Sequence, residues 1–139
     1  MQSLRTLLRS RLEWIEETLM QHAEKNGYGY ISPATARLYS YLGNDAVAMS
    51  VLARQLKVSR QAVHQLVTEG VNAGFLELCD NPQDKRVKLV QFTAKGRKMS
   101  AVAMQELQNI EQQLMQHLGK EQVETLRNIL QMPWPGDRH

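Results

Sequence analysis

A mainly α-helical chain carrying one small β-hairpin is the fold class the sequence predicts, and three observations predict it. Apolar residues recur at steps of three and four along both ends of the 139-residue chain. After Phe75 the period changes once, to alternation around the turn-rich tetrapeptide Asn81-Pro82-Gln83-Asp84. Serine or threonine stands at the head of several periodic segments, where its oxygen can accept a free backbone N–H at a helix start.

The series Leu4, Leu8, Leu12, Ile15, Leu19 predicts a first helix to about Ala23, with Leu7 and Trp14 widening its apolar stripe. Asn26 to Tyr30 interrupts it with two glycines, and Ser32-Pro33 restarts a second helix as cap and first residue, ending by Gly43. Ser50 is expected to cap a short third helix, Val51 to Leu56, with Lys57 and Val58 as the following turn. Ser59 caps a fourth helix that places Ala62, Val63, Leu66, Val67 and Val71 on one face and Gln61, His64, Gln65 and Thr68 on the other; Gly74 closes it. Two strands follow, around Leu76 and Leu78 and from Val87 to Phe92. Thr93 then caps a long helix with the stripe Met99, Ala103, Leu107, Ile110, Leu114, Leu118, stopped by Gly119. A last helix carries Val123, Leu126 and Leu130, and Pro133-Trp134-Pro135-Gly136 begins a loose tail.

Composition narrows what such a chain can be. At 42% hydrophobic and 22% charged it can bury a core and is not a disordered segment. Its one cysteine, Cys79, excludes an internal disulfide or a CxxC metal or redox pair and favours a reducing, cytoplasmic setting. No apolar run approaches a membrane span, and the Arg-rich start (Arg5, Arg9, Arg11) runs at once into Glu13, Glu16 and Glu17, as a surface helix does and a targeting segment does not. His22, His64, His117 and His139 have no metal-ligand spacing, and no GxSxG, Walker or GxGxxG pattern is present, so neither catalysis, metal nor cofactor is expected.

Two short helices around a tight turn, followed by a hairpin with a basic tip, make a winged helix-turn-helix lobe, here residues 33–93. Helical segments 1–25 and 94–131 flank it as a dimerisation region, since their stripes exceed what one small lobe buries, and 132–139 is the tail. In such a lobe the first turns of the second helix reach base edges in a major groove. Arg60 matches guanine, Gln61 and Gln65 match adenine, and His64 and Thr68 share that face, with Ser50 and Ser59 at the helix starts. Lys85, Arg86 and Lys88 on the hairpin suit a phosphate backbone or minor groove. The net charge of +3 is distributed accordingly: 0 over residues 1–49, +5 over 50–100 and −2 over 101–139. The expected partner is double-stranded DNA.

The run from Leu52 to Val63, LARQLKVSRQAV, resembles the helix-turn-helix of the MarR-type regulators, and Asp84 to Gly96, DKRVKLVQFTAKG, is similar to their wing signature, Asp-x-Arg, a strand, then Thr-x-x-Gly. The resemblance runs from the first helix through the last. It implies a homodimer with interlocked terminal helices, a pseudo-palindromic operator, and repression relieved by a small phenolic ligand or by oxidation. It also implies that Arg86 is the wing-tip arginine of the minor groove, steadied by Asp84. Two departures stand out: Gly70 occupies a position where the family commonly has leucine, which costs about 1 kcal/mol of helix propensity and leaves either space or a bend there, and Asn72-Ala73 replaces a charged pair.

Other readings remain open for the same residues. The polar face of the fourth helix can be a solvated surface, and the lobe can be a protein-interaction adaptor or antirepressor that leaves DNA alone, although that role calls for acidic or apolar outer faces. Cys79 reads as a packed strand residue or as a redox-responsive thiol; no basic neighbour in sequence activates it, and oxidation-sensing members of the resembled family carry their cysteine near the first helix. Trp14, Tyr28, Tyr30 and Tyr39 read as core aromatics or as the lining of a cleft for a small aromatic ligand.

Overall fold

Ser3, Ser32 and Ser59 each accept a hydrogen bond from the amide three residues on, at 3.1, 3.2 and 3.1 Å, and a helix begins at the next residue in every case. The computed structural model describes residues 1–137; His139 and the end of the expected tail lie outside the described residues. Its elements run α1 (Leu4–Lys25), α2 (Pro33–Ser40), β1 (Val47–Ala48), α3 (Met49–Leu56), α4 (Arg60–Asn72), β2 (Leu76–Asn81), β3 (Asp84–Phe92), α5 (Ala94–Leu118) and α6 (Lys120–Gln131). The chain is mainly helical with one small antiparallel sheet, as its periodicities predict.

Several local expectations are corrected. Helix α3 starts at Met49 from an N-cap at Ala48 that makes no side-chain cap bond, so Ser50 lies inside the first turn and caps nothing. Helix α2, by contrast, runs from Pro33 to Ser40, within the bound that Gly43 sets. Val71 points away from the core, because α4 buries Val63, Val67 and Gly70 along one line and Val71 falls a residue past it. The sheet has a third strand, β1, paired antiparallel with β3 through Val47 and Val90 and through Ala48 and Leu89. Asn81 and Asp84 are themselves cross-strand partners, which leaves only Pro82 and Gln83 as the turn.

Contacts divide the chain into residues 1–103 and 104–139. In the first unit the core joins Leu38, Tyr39, Leu52, Leu56, Val63, Val67, Phe75, Leu76, Val90, Phe92 and Met99, drawn from α2, α3, α4, the sheet and the start of α5. Burial of each large side chain here contributes roughly 1.5–3 kcal/mol, enough to fix α4 against α2 and α3 while its other face stays in solvent. The space expected beside Gly70 is filled: a Cβ there would lie 2.4 Å from Leu76 Cδ1 and 3.2 Å from the Tyr39 hydroxyl. The glycine is what lets β2 and α2 close on α4. No residue of α1 is buried, and Leu4, Leu8 and Leu12 are all exposed.

The second unit buries Ile110 and Val123 and ties α5 to α6 by an ion pair between Glu111 and Arg127. Leu126, Ile129 and Leu130 of α6 are exposed. Beyond α6 the Trp134 indole N–H donates to the Ile129 carbonyl at 3.2 Å. Among the described residues no helix is long and apolar enough to cross a membrane.

Candidate nucleic-acid interface

Lys57 takes the left-handed conformation, φ 56°, at the end of α3, and its amide donates back to the Arg54 carbonyl at 3.3 Å. That turn, with Val58 and the Ser59 cap, delivers Arg60 as the first residue of α4. Gln61, His64, Gln65 and Thr68 follow at helical spacing, all exposed. The buried line of Val63 and Val67 on the opposite side fixes which way this row faces. The Thr68 hydroxyl donates to the His64 carbonyl at 2.8 Å, and the Ser59 oxygen receives the Ala62 amide, so both hydroxyls are held at defined positions on the helix.

A shallow concavity of about 610 Å³ opens beside the start of α4 and is lined by Ser50, Ala53, Arg54, Lys57, Val58 and Arg60. Ser50, displaced from its expected capping role, lines the same hollow as Arg60. Arg54 and Lys57 were not singled out by the sequence. Three cations surround this concavity and no carboxylate lines it, a composition suited to a phosphate. Their basic character inside the helix-turn-helix was the available signal.

The wing owes its shape to a register break. Between Asp80 and Asn81 there is no residue, whereas between their partners Lys88 and Asp84 stand Lys85, Arg86 and Val87, so these three bulge outward from the hairpin tip. Asp84 Oδ1 accepts from the Arg86 backbone N–H at 3.1 Å and from its Nε at 3.2 Å. The guanidinium is therefore oriented yet 91% exposed. Lys88 is placed differently: its ammonium pairs with Asp80 on the neighbouring strand, which offsets its charge locally. Cys79, half-buried in β2, lies opposite Leu89.

The aromatic residues do not share one environment. Tyr39 packs on Phe75 and Phe92 at ring-centroid distances of 6.0 and 5.9 Å, and Tyr28 meets the edge of Phe75 at 5.9 Å. Burial, assisted by the nearby Glu69 carboxylate, raises the Tyr39 phenol to about 12. Packing around Phe75 accounts for both tyrosines. Tyr30 is 71% exposed and Trp14 is 41% exposed.

Comparison with known proteins places this geometry. Residues 31–87, from the start of the α2 region to the wing bulge, match the sequence model of the MarR family. No curated protein matches the chain in sequence. Among solved structures, the reduced form of MarR from E. coli is 24% identical, with a TM-score of 0.78 over 94% of this chain and 95% of that one. A MarR variant from E. coli complexed with operator DNA is 23% identical, with a TM-score of 0.74 over 91% and 90%. A MepR variant from S. aureus bound to an oligodeoxyribonucleotide is 20% identical, with a TM-score of 0.64 over 94% of each chain. The family match is confined to the winged helix-turn-helix lobe, and the chain as a whole has the fold of these solved structures.

Proposed function

We propose that the protein is a homodimeric, sequence-specific DNA-binding regulator, a cytoplasmic binding module and not a catalyst, that represses transcription until a small molecule alters the spacing of its two recognition helices. The observation that carries this reading is the exposed row Arg60, Gln61, His64 and Gln65, starting at a capped helix end beside Arg54 and Lys57, with an oriented Arg86 on the wing. A recognition helix entering a major groove end-first uses these positions, and a cation at a wing tip suits the adjacent minor groove. That a structurally similar MarR variant is bound to operator DNA supports the assignment. The exposed leucines of α1 and the exposed Leu126, Ile129 and Leu130 of α6 supply apolar surface for a second copy. Two lobes then read half-sites about one helical turn apart, roughly 10 bp.

Anisotropy titration against duplexes selected from random DNA tests the assignment. Arg60→Ala is expected to cost about 1–3 kcal/mol at one base position and relax preference there, whereas Arg86→Ala weakens binding to every duplex and lowers the salt slope by about one. Unchanged binding in both variants contradicts the proposal.

A further inference from the structure

The C-terminal end of the recognition helix has no cation of its own: the last turn of α4 contains no basic residue. A helix end carries partial negative charge on its free carbonyls, and some donor must meet them. Here the donor comes from another element. Lys95, in the first turn of α5, donates from Nζ to the Ala73 carbonyl at 3.0 Å, and the same ammonium stands 4.8 Å from the centre of the Phe75 ring. Around it the junction is closed by backbone and glycine. Thr93 donates from its hydroxyl to the Gly74 carbonyl and from its amide to the Phe75 carbonyl, the latter at 2.9 Å. Gly96 stands so close that a Cβ would lie 2.0 Å from the Phe75 oxygen.

We propose that Lys95 is a positioning residue for DNA recognition, holding the tilt of α4 by capping its C-terminal end from the start of α5. This rests on the DNA-binding reading above and names a residue of that function which touches no base. The lever is geometric. From Arg60 to Asn72 the helix is about 18 Å long at 1.5 Å per residue, so a tilt of roughly 10° at the capped end moves the base-reading end by about 3 Å, more than a directional hydrogen bond tolerates. The ammonium faces a carbonyl and an aromatic ring, so its charge serves the protein's own helix before any phosphate.

The test uses the full chain, the duplex that wild-type protein selects from random DNA, and a scrambled duplex of equal length and composition. Lys95→Met keeps the aliphatic stem over Phe75 and removes the cap; Lys95→Arg restores a donor. The expected result is a loss of about tenfold for the selected duplex in Lys95→Met, the size of one mismatched base pair, at most about twofold for the scrambled duplex, and recovery in Lys95→Arg. Amide exchange at Phe75, whose N–H donates to Gly70 inside the junction, is expected to quicken in Lys95→Met alone. Equal losses on both duplexes make Lys95 a plain phosphate contact and overturn the proposal, as does undiminished discrimination. Unchanged exchange at Phe75 overturns the cap whatever the DNA result. A wild-type protein that prefers no sequence refutes the DNA-binding reading itself, an outcome distinct from a wild-type preference that Lys95→Met leaves intact.

Discussion

Two glycines in contact with the packed interior make opposite uses of a missing side chain. At Gly96 the obstacle is a backbone oxygen that cannot move without taking β2 and the end of α4 with it, so Gly96→Ala is expected to cost about 3 kcal/mol or more in urea unfolding. At Gly70 the obstacle is the side chain of Leu76, which can shift, and alanine also recovers about 1 kcal/mol of helix propensity. Gly70→Ala is therefore expected to destabilise by only about 1 kcal/mol. The Thr-x-x-Gly spacing was legible in the sequence, but the reason for its glycine was not, because Phe75 is twenty-one residues away and only the fold brings its carbonyl near. Tyr39 yields a pH prediction. Its folded phenol ionises near 12, against about 10 when unfolded, so between those values the folded chain holds a proton the unfolded chain has lost. The contribution is fully present below pH 10 and is lost as pH rises toward 12, on the order of 2–3 kcal/mol in all. Tyr39→Phe is expected to flatten the fall in stability over that window relative to wild type.

At the scale of elements, the starts of α2 and α4 are readable from the serines that cap them, and that of α3 is misread from a serine that does not. Ser59 accepts the Ala62 amide and begins α4; Ser50 accepts nothing, because α3 has already begun at Met49 without a side-chain cap. Ser59→Ala is accordingly expected to cost about 1 kcal/mol and Ser50→Ala to leave thermal stability unchanged, a pair of melts that separates capping from surface position. Strand β1 escaped prediction for a related reason: two residues carry no period, and Val47 and Ala48 become a strand only because β3 offers its free edge. The wing was legible as a hairpin from its alternation and turn residues. Its bulge was not, since the excess of three residues on β3 appears only once Asp80 is paired with Lys88 and Asn81 with Asp84. That excess projects Arg86, while the cross-strand pairing of Lys88 with Asp80 sets apart two cations that the sequence treats alike.

Over the whole molecule, a net charge of +3 conceals a segment from residue 50 to 100 that carries +5, and the structure puts Arg54, Lys57 and Arg60 of that segment around a single hollow. On the proposed reading, counterion release gives duplex binding by such a cluster a steep salt dependence. The apolar faces left exposed on α1 and α6 point to assembly, and sedimentation at micromolar concentration is expected to give twice the 15.9 kDa chain mass, with Leu126→Glu and Leu130→Glu together shifting the protein toward the monomer. Selection of bound duplexes from random-sequence DNA by the purified full chain tests the central claim most directly. Enrichment of a pseudo-palindrome with half-sites roughly 10 bp apart, lost at defined positions in Arg60→Ala, is expected. Recovery of unenriched DNA, or the same enriched sequence from wild type and Arg60→Ala alike, would contradict it.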